Sequence, residues 1–160
     1  MELKKLDCSF YADNPKVEQA LDFDMESGAW LKSKVRRHGV VQISFSNLTF
    51  AIPVKSFIKH SASLILQVDR TGNDVKGMGL DYSKALLIKK ESHVSSSVFV
   101  LTSKSAGKKL VGKEGHVTSQ FTKYVEKYIS AIKKSDTRIL NSREYRFTTL
   151  INYHKELGLE

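Results

Sequence analysis

Between Gly39 and Val54 the chain reads GVVQISFSNLTFAIPV, with apolar residues on both sides of a short polar break at Ser46-Asn47. Such runs, rich in β-branched and aromatic residues and separated by a turn pair, predict two antiparallel strands near 39–45 and 48–54. Phe45, Leu48, Phe50 and Ile52 provide the apolar content, and Pro53, which has no N–H to donate, is expected to end the second strand or mark an edge. SLILQVD predicts a third strand, and KALLIKK and SVFVLT two more. RTGNDVKGMG, with its three glycines, is expected to be a loop.

Elsewhere the period lengthens. In HVTSQFTKYVEKYISAIKKS the apolar residues Val117, Phe121, Tyr124, Val125, Tyr128, Ile129 and Ile132 recur at helical spacing on one face. A last segment, NSREYRFTTLINYHKELGL, would place Phe147, Leu150, Ile151, His154 and Leu157 on one side of a second helix, opened by an Asn141–Glu144 capping box. Asn14-Pro15 predicts the start of a short helix over 15–21. Strands first and helices last imply an α+β chain, a bent antiparallel sheet with helices packed on it. No repeat, low-complexity run or proline-rich linker divides the 160 residues, so one domain over 1–160 is expected.

Composition narrows the chemistry. Cys8 is the only cysteine, which rules out an internal disulfide and fits a small buried apolar residue. No Cys/His spacing suits a structural zinc, and neither metal nor cofactor is expected. The N-terminal MELKKLDCSF has no apolar signal core, and no apolar run approaches the about 20 residues of a membrane span. A cytoplasmic protein with no membrane partner is expected.

Charge changes the picture most. The net +9 arises from 26 Lys and Arg against 17 acids, and it is unevenly spread. Ser27 to Val68 holds no acid but contains Lys32, Lys34, Arg36, Arg37, Lys55 and Lys59. Ser92 to Lys113 is also acid-free and contains Lys104, Lys108, Lys109 and Lys113. Long stretches of one sign imply a positive face that recruits a polyanion, nucleic acid first.

Candidate chemistry is concentrated in PVKSFIKH, residues 53–60. RNA cleaves itself when its 2′-hydroxyl attacks the adjacent phosphate. A protein must align that attack, neutralise the charge on the pentacoordinate phosphorus and move two protons. Lys55, Ser56, Lys59 and His60, joined by Arg36 or Lys34, have the required types. On pattern alone, a strand end with solvated lysines is the simpler reading. GKKLVGKEG, residues 107–115, nearly matches a phosphate-binding loop but has Glu114 where a hydroxyl should hold magnesium. A basic loop touching a nucleic-acid backbone, or a plain solvated loop, fits it better. His93 and His116 fall in polar segments, His154 on an apolar helix face, and His38 leads into a strand.

The stretch RRHGVVQISFSNLTFAIPVKSFIKH, followed by GMGLDYSKALLI and FTTLINYHKEL, resembles the ToxN/AbiQ/TenpN group of toxins from type III toxin–antitoxin systems, the TenpN branch most of all. The resemblance runs from about Tyr11 to Leu157 and rests on the order of short motifs. It implies a sheet similar to the Kid/MazF toxin barrel. It also implies a metal-independent endoribonuclease that cuts single-stranded RNA to 2′,3′-cyclic phosphate and 5′-hydroxyl ends, in phage defence or plasmid maintenance. An RNA antitoxin of repeated pseudoknots, processed and retained by the toxin in a ring-like protein–RNA assembly, is the implied partner, with no DNA. Lys55 and Ser56 match the active-site pair after the strand-ending proline, although Lys55 stands where a threonine is usual in the ToxN branch. Lys59 and His60 match the basic stretch that follows. Arg36, with Lys34 and Arg37 as alternatives, matches the basic residue before the GVV glycine, and Tyr11 an N-terminal tyrosine near the site. The competing expectation is a basic RNA- or DNA-binding protein without catalysis.

Overall fold

The computed structural model describes residues 1–32, 39–69 and 76–160. At its centre lies the predicted hairpin. Strands β4 (Val40–Phe45) and β5 (Leu48–Ile58) pair antiparallel from Phe45↔Leu48 to Val40↔Pro53, and Ser46 turns the corner at φ 55°. Pro53 does not end its strand. Val54 donates its N–H to Gly39 on the β4 side, so the alternation of an antiparallel ladder aims the nitrogen of Pro53 the other way. On that other side β5 changes partners, from β8 (Leu86–Ile88) at Thr49–Ala51 to β7 (Lys76–Asp81) at Val54. The proline's missing donor therefore falls in the gap between two neighbours.

Strands β1 (Lys4–Leu6), β6 (Ser63–Asp69) and β9 (Val94–Val98) complete a sheet of order β6-β7-β5-β4-β1-β9, with β8 added to β5. Every pairing is antiparallel. A separate small hairpin joins β2 (Phe23–Asp24) to β3 (Ala29–Trp30). Among the described residues the sheet does not close into a barrel. The GMG expected in a loop lies within β7, because a Cβ on Gly79 would sit 1.9 Å from the Leu64 carbonyl oxygen. The glycine lets β6 and β7 approach.

Helix α1 (Cys8–Asp13) lies earlier than the helix expected at 15–21. Asp7 caps its start, and the Asn14 backbone and side-chain N–H groups both donate to Phe10, so Asn14 closes this helix instead of opening another. Left-handed φ angles at Gln19 and Asp22 keep the next segment non-helical. Cys8 is exposed, correcting the expectation of a buried thiol. The strand expected in SVFVLT forms earlier, as β9.

Helix α2 (Lys104–Leu110) precedes α3 (Glu114–Lys134), which packs against β4. Its buried face of Val117, Phe121, Tyr124, Val125, Tyr128 and Ala131 follows the expected spacing. Phe121 meets Phe50 edge-on at 5.2 Å, and burying such a ring contributes roughly 2–3 kcal/mol. After α3 comes only the short helix α4 (Thr137–Leu140), and then turns with one 3-10 segment at Thr149–Asn152. The long second helix over 141–157 does not form, and Asn141 ends α4 instead of capping a new helix. Thr148 and Thr149 are buried, and their hydroxyls bond Tyr124, the Leu150 N–H and the Ala85 carbonyl. Such bonds compete with helix formation. Phe147 and Ile151, placed inside by the helical reading, are exposed. Among the described residues no helix is long and apolar enough to cross a membrane.

Candidate functional site

The sequence after Pro53 builds a cleft through strand alternation and one bulge. Lys55 pairs with Gly79 and Ile58 with Gly77, so Ser56 and Phe57 together oppose Met78. Phe57 takes the extra turn at φ 59°, an unusual conformation for an aromatic residue. The result is that Lys55, Phe57, Lys59 and His60 line one cleft of about 680 Å³. Ser56 points to the opposite face, into a groove with Gln67, Met78, Thr102 and Ser103. The other walls of the cleft come from Gln19, from Asp81 at the end of β7 with Ser83 and Lys84 just after it, and from Arg143, Arg146 and Phe147 beyond α4.

At the cleft's base Asp81 is 1 % exposed. Its carboxylate accepts the Ser83 N–H at 3.0 Å and the Ser83 hydroxyl at 2.6 Å, and faces His60 Nε2 at 3.2 Å. Burial pushes the Asp81 pKa up, but the bonds from His60 and Ser83, with the charge of Lys84, more than reverse this and hold it below the ordinary carboxylate value. His60 Nδ1 accepts the Ala62 N–H at 3.2 Å, which fixes the proton of the neutral ring on Nε2, where it is donated to Asp81. This Ser–His–Asp trio is not a nucleophile relay. A relay needs the acid on one ring nitrogen and the serine on the other, whereas Asp81 and Ser83 share the Nε2 side and the serine gives its proton to the acid.

Lys84 donates to the carbonyls of Gln19 at 2.7 Å and Phe147 at 2.8 Å, leaving one of its three N–H donors for a ligand. Burial lowers its pKa, the Asp81 charge opposes that, and Lys55 adds to it. Lys55, Lys59, Lys84, Arg143 and Arg146 thus surround one volume whose carboxylate, Asp81, is buried and already bonded. The arrangement can hold phosphates and withdraw charge from them.

Of the residues singled out in the sequence, Lys55, Lys59 and His60 meet here and Ser56 does not. Tyr11 packs edge-on against Phe10 and Trp30, at 5.4 and 5.0 Å, and does not line the cleft. Lys104, Lys108 and Lys109 are exposed on α2 and Lys113 precedes α3, away from the cleft lining. Gly107 lies inside α2, so GKKLVGKEG joins two helices and cannot be a phosphate loop, which follows a strand. Lys34, Arg36, Arg37 and His38 lie outside the described residues. His93 is buried against Asp13, with Nε2 at 2.8 Å from its carboxylate, and His116 is in α3. His154 is half-buried, bonded to the Tyr128 hydroxyl at 2.7 Å. Among the described residues no group of three or more His, Cys, Asp or Glu is placed to hold a metal ion.

Sequence reasoning missed Asp81, Ser83, Lys84, Arg143, Arg146 and the two phenylalanines. The Asp81-Tyr82-Ser83 turn follows the glycine-bearing strand, a signal for a capped turn. The Arg143–Arg146 pair carries no comparable signal, because a helical reading puts it on an ordinary solvated face. No protein-family model matches the chain, no curated protein matches it, and no solved structure matches its fold.

Proposed function

We propose that this protein is a metal-independent endoribonuclease, the toxin of a type III toxin–antitoxin system, cutting single-stranded RNA to 2′,3′-cyclic phosphate and 5′-hydroxyl ends. The observation that carries the reading is the convergence of Lys55, Lys59, Lys84, Arg143 and Arg146 with His60 on one cleft. In the proposed reaction the 2′-hydroxyl gives up its proton as its oxygen bonds to phosphorus, and the bond to the 5′-oxygen breaks as that oxygen takes a proton. Lys55 and Lys84 stabilise the charge on the phosphorane, with Arg36 as a further candidate. Lys59 or His60 assists the proton transfers, His60 only by giving up one of the two bonds that its ring nitrogens make within the protein. The orienting role expected of Ser56 passes to the remaining N–H of Lys84, because Ser56 faces the other groove. A Kid/MazF-like fold for the sheet, cytoplasmic location, and a pseudoknot RNA antitoxin closing a ring with the toxin belong to the same proposal. The pseudoknot would be gripped through shape and backbone contacts on the basic surface that Lys104, Lys108, Lys109 and Lys113 extend.

The engagement of His60 favours one rival, an RNA-binding protein without catalysis. The deciding experiment incubates protein freed of bound RNA with a long single-stranded RNA in excess EDTA and maps product ends. Discrete cuts with cyclic-phosphate ends, lost in Lys55→Ala, support the nuclease. Intact RNA that binds tightly and salt-dependently leaves the binding protein.

A further inference from the structure

Two large apolar side chains are exposed in a cleft lined by cations. Phe57 is 63 % exposed and Phe147 is 52 % exposed, and both line the cleft that holds Lys55, Lys59 and Lys84. They arrive from parts of the chain remote in sequence. The bulge that turns Phe57 outward at φ 59° also turns its neighbour Ile58 inward, to 3 % exposure. An aromatic ring held outward by an uncommon backbone conformation fits a functional role better than a packing one. Phe147 is positioned from both sides: its carbonyl receives Lys84 at 2.8 Å, and the Arg146 guanidinium lies 4.9 Å from its ring centre.

We infer that Phe57 and Phe147 form a stacking platform for unpaired nucleobases, so that the cleft takes single-stranded RNA in preference to duplex RNA or an isolated phosphate. A flat ring accepts the face of any base, and the surrounding cations track the phosphates on either side; that combination defines single-strand binding surfaces. In a duplex the bases are stacked on each other and cannot reach such rings. Apolar rings alone would equally suit a protein partner, but five cations around them select a ligand that is planar, apolar on its faces and anionic along its backbone. The inference rests on the cleft being the RNA site and not on its cutting RNA.

The test is therefore a binding measurement on RNA that cannot be cut. Fluorescence anisotropy would compare a 2′-O-methyl single-stranded oligonucleotide with an abasic strand carrying the same number of phosphates, and with a duplex. The wild-type protein should bind the base-bearing strand at least tenfold more tightly than either. The pair Phe57→Asn and Phe147→Ala should bring that strand down to the abasic level while leaving the salt dependence unchanged. Asn tolerates the left-handed backbone at 57, and neither ring is buried, so the fold is retained. Phe147→Tyr should keep the preference. Equal binding of base-bearing and abasic strands by the wild type would overturn the platform, and if cyclic-phosphate cleavage persisted, the nuclease reading would survive it. A platform that discriminates bases in a protein that cuts no RNA would sink the nuclease alone. Tighter binding of a Glu-rich peptide with aromatic residues, lost in the same pair, would overturn the inference in favour of a protein partner.

Discussion

His60 and Asp81 close the base of the cleft as a directional pair: Nε2 donates across 3.2 Å to the carboxylate, while Nδ1 is held by the Ala62 N–H. The pair links the segment just after β5 to the last residue of β7. Because Asp81 is buried and holds Ser83 as well, Asp81→Ala should destabilise the protein by about 3 kcal/mol. The folded pKa of Asp81 lies below its ordinary 3.8, so its contribution to stability is fully present above that value and lost as pH falls through the folded value. Denaturant titrations from neutral pH down to about pH 3 should show a weaker acid-limb loss in Asp81→Asn than in the wild type. Parallel limbs would contradict the assignment.

Lys55 is half-buried, and among the described residues its ammonium donates to the neighbouring Ser56 carbonyl, at 3.1 Å. Lys55→Ala should therefore leave the melting temperature nearly unchanged and, if the protein is the proposed ribonuclease, lower RNA cleavage by about 10²-fold or more. Quantifying cyclic-phosphate ends over time checks this. Wild-type cleavage by the variant would remove Lys55 from the chemistry.

The arginines of the C-terminal segment should act on binding in a different way. Reversing both, Arg143→Glu with Arg146→Glu, should weaken RNA binding across all sequences and reduce the log–log salt slope by about 2, one per lost phosphate contact. Binding isotherms at several salt concentrations measure the slope directly.

Lys84 has a structural duty as well as an electrostatic one. Lys84→Met would leave the carbonyls of Gln19 and Phe147 without their partner and should cost about 1–3 kcal/mol. Thermal melts would register that loss even if RNA affinity fell too, which separates this variant from Lys55→Ala.

Gly79→Ala would drive a methyl to 1.9 Å from the Leu64 oxygen, backbone that cannot swing aside. The β6–β7 pairing should yield, with destabilisation on the order of 3 kcal/mol. Hydrogen exchange should locate the loosening in β6 and β7.

The hairpin and α3 were legible because their signals are local: a turn pair between apolar runs, and a 3.6-residue period over many turns. The final segment was not. Its apolar spacing imitates a helix, and what defeats the helix is the capture of the Thr148 and Thr149 hydroxyls by partners distant in sequence. The candidate site divides in the same way. Lys55, Lys59 and His60 stood out in one short stretch, yet the bulge at Phe57 that sorts them from Ser56 depends on pairing with β7. Lys84, Arg143 and Arg146 reach the cleft only through tertiary folding and lie outside both acid-free stretches, so charge patterning had no means of finding them.

Lys84 bonds a carbonyl from the segment before β2 and another from the segment after α4, so a single ammonium gathers three widely separated parts of the chain. Chains are made from the N-terminus onward and fold as they emerge. β5 with Lys55, and Lys59 just beyond it, are therefore made long before the wall bearing Arg143, Arg146 and Phe147 has been synthesised. A ribosome making this protein holds an unfinished cleft until Phe147 has emerged. If the protein is an RNA-cutting enzyme, the order of its own sequence delays the hazard to the transcript being read.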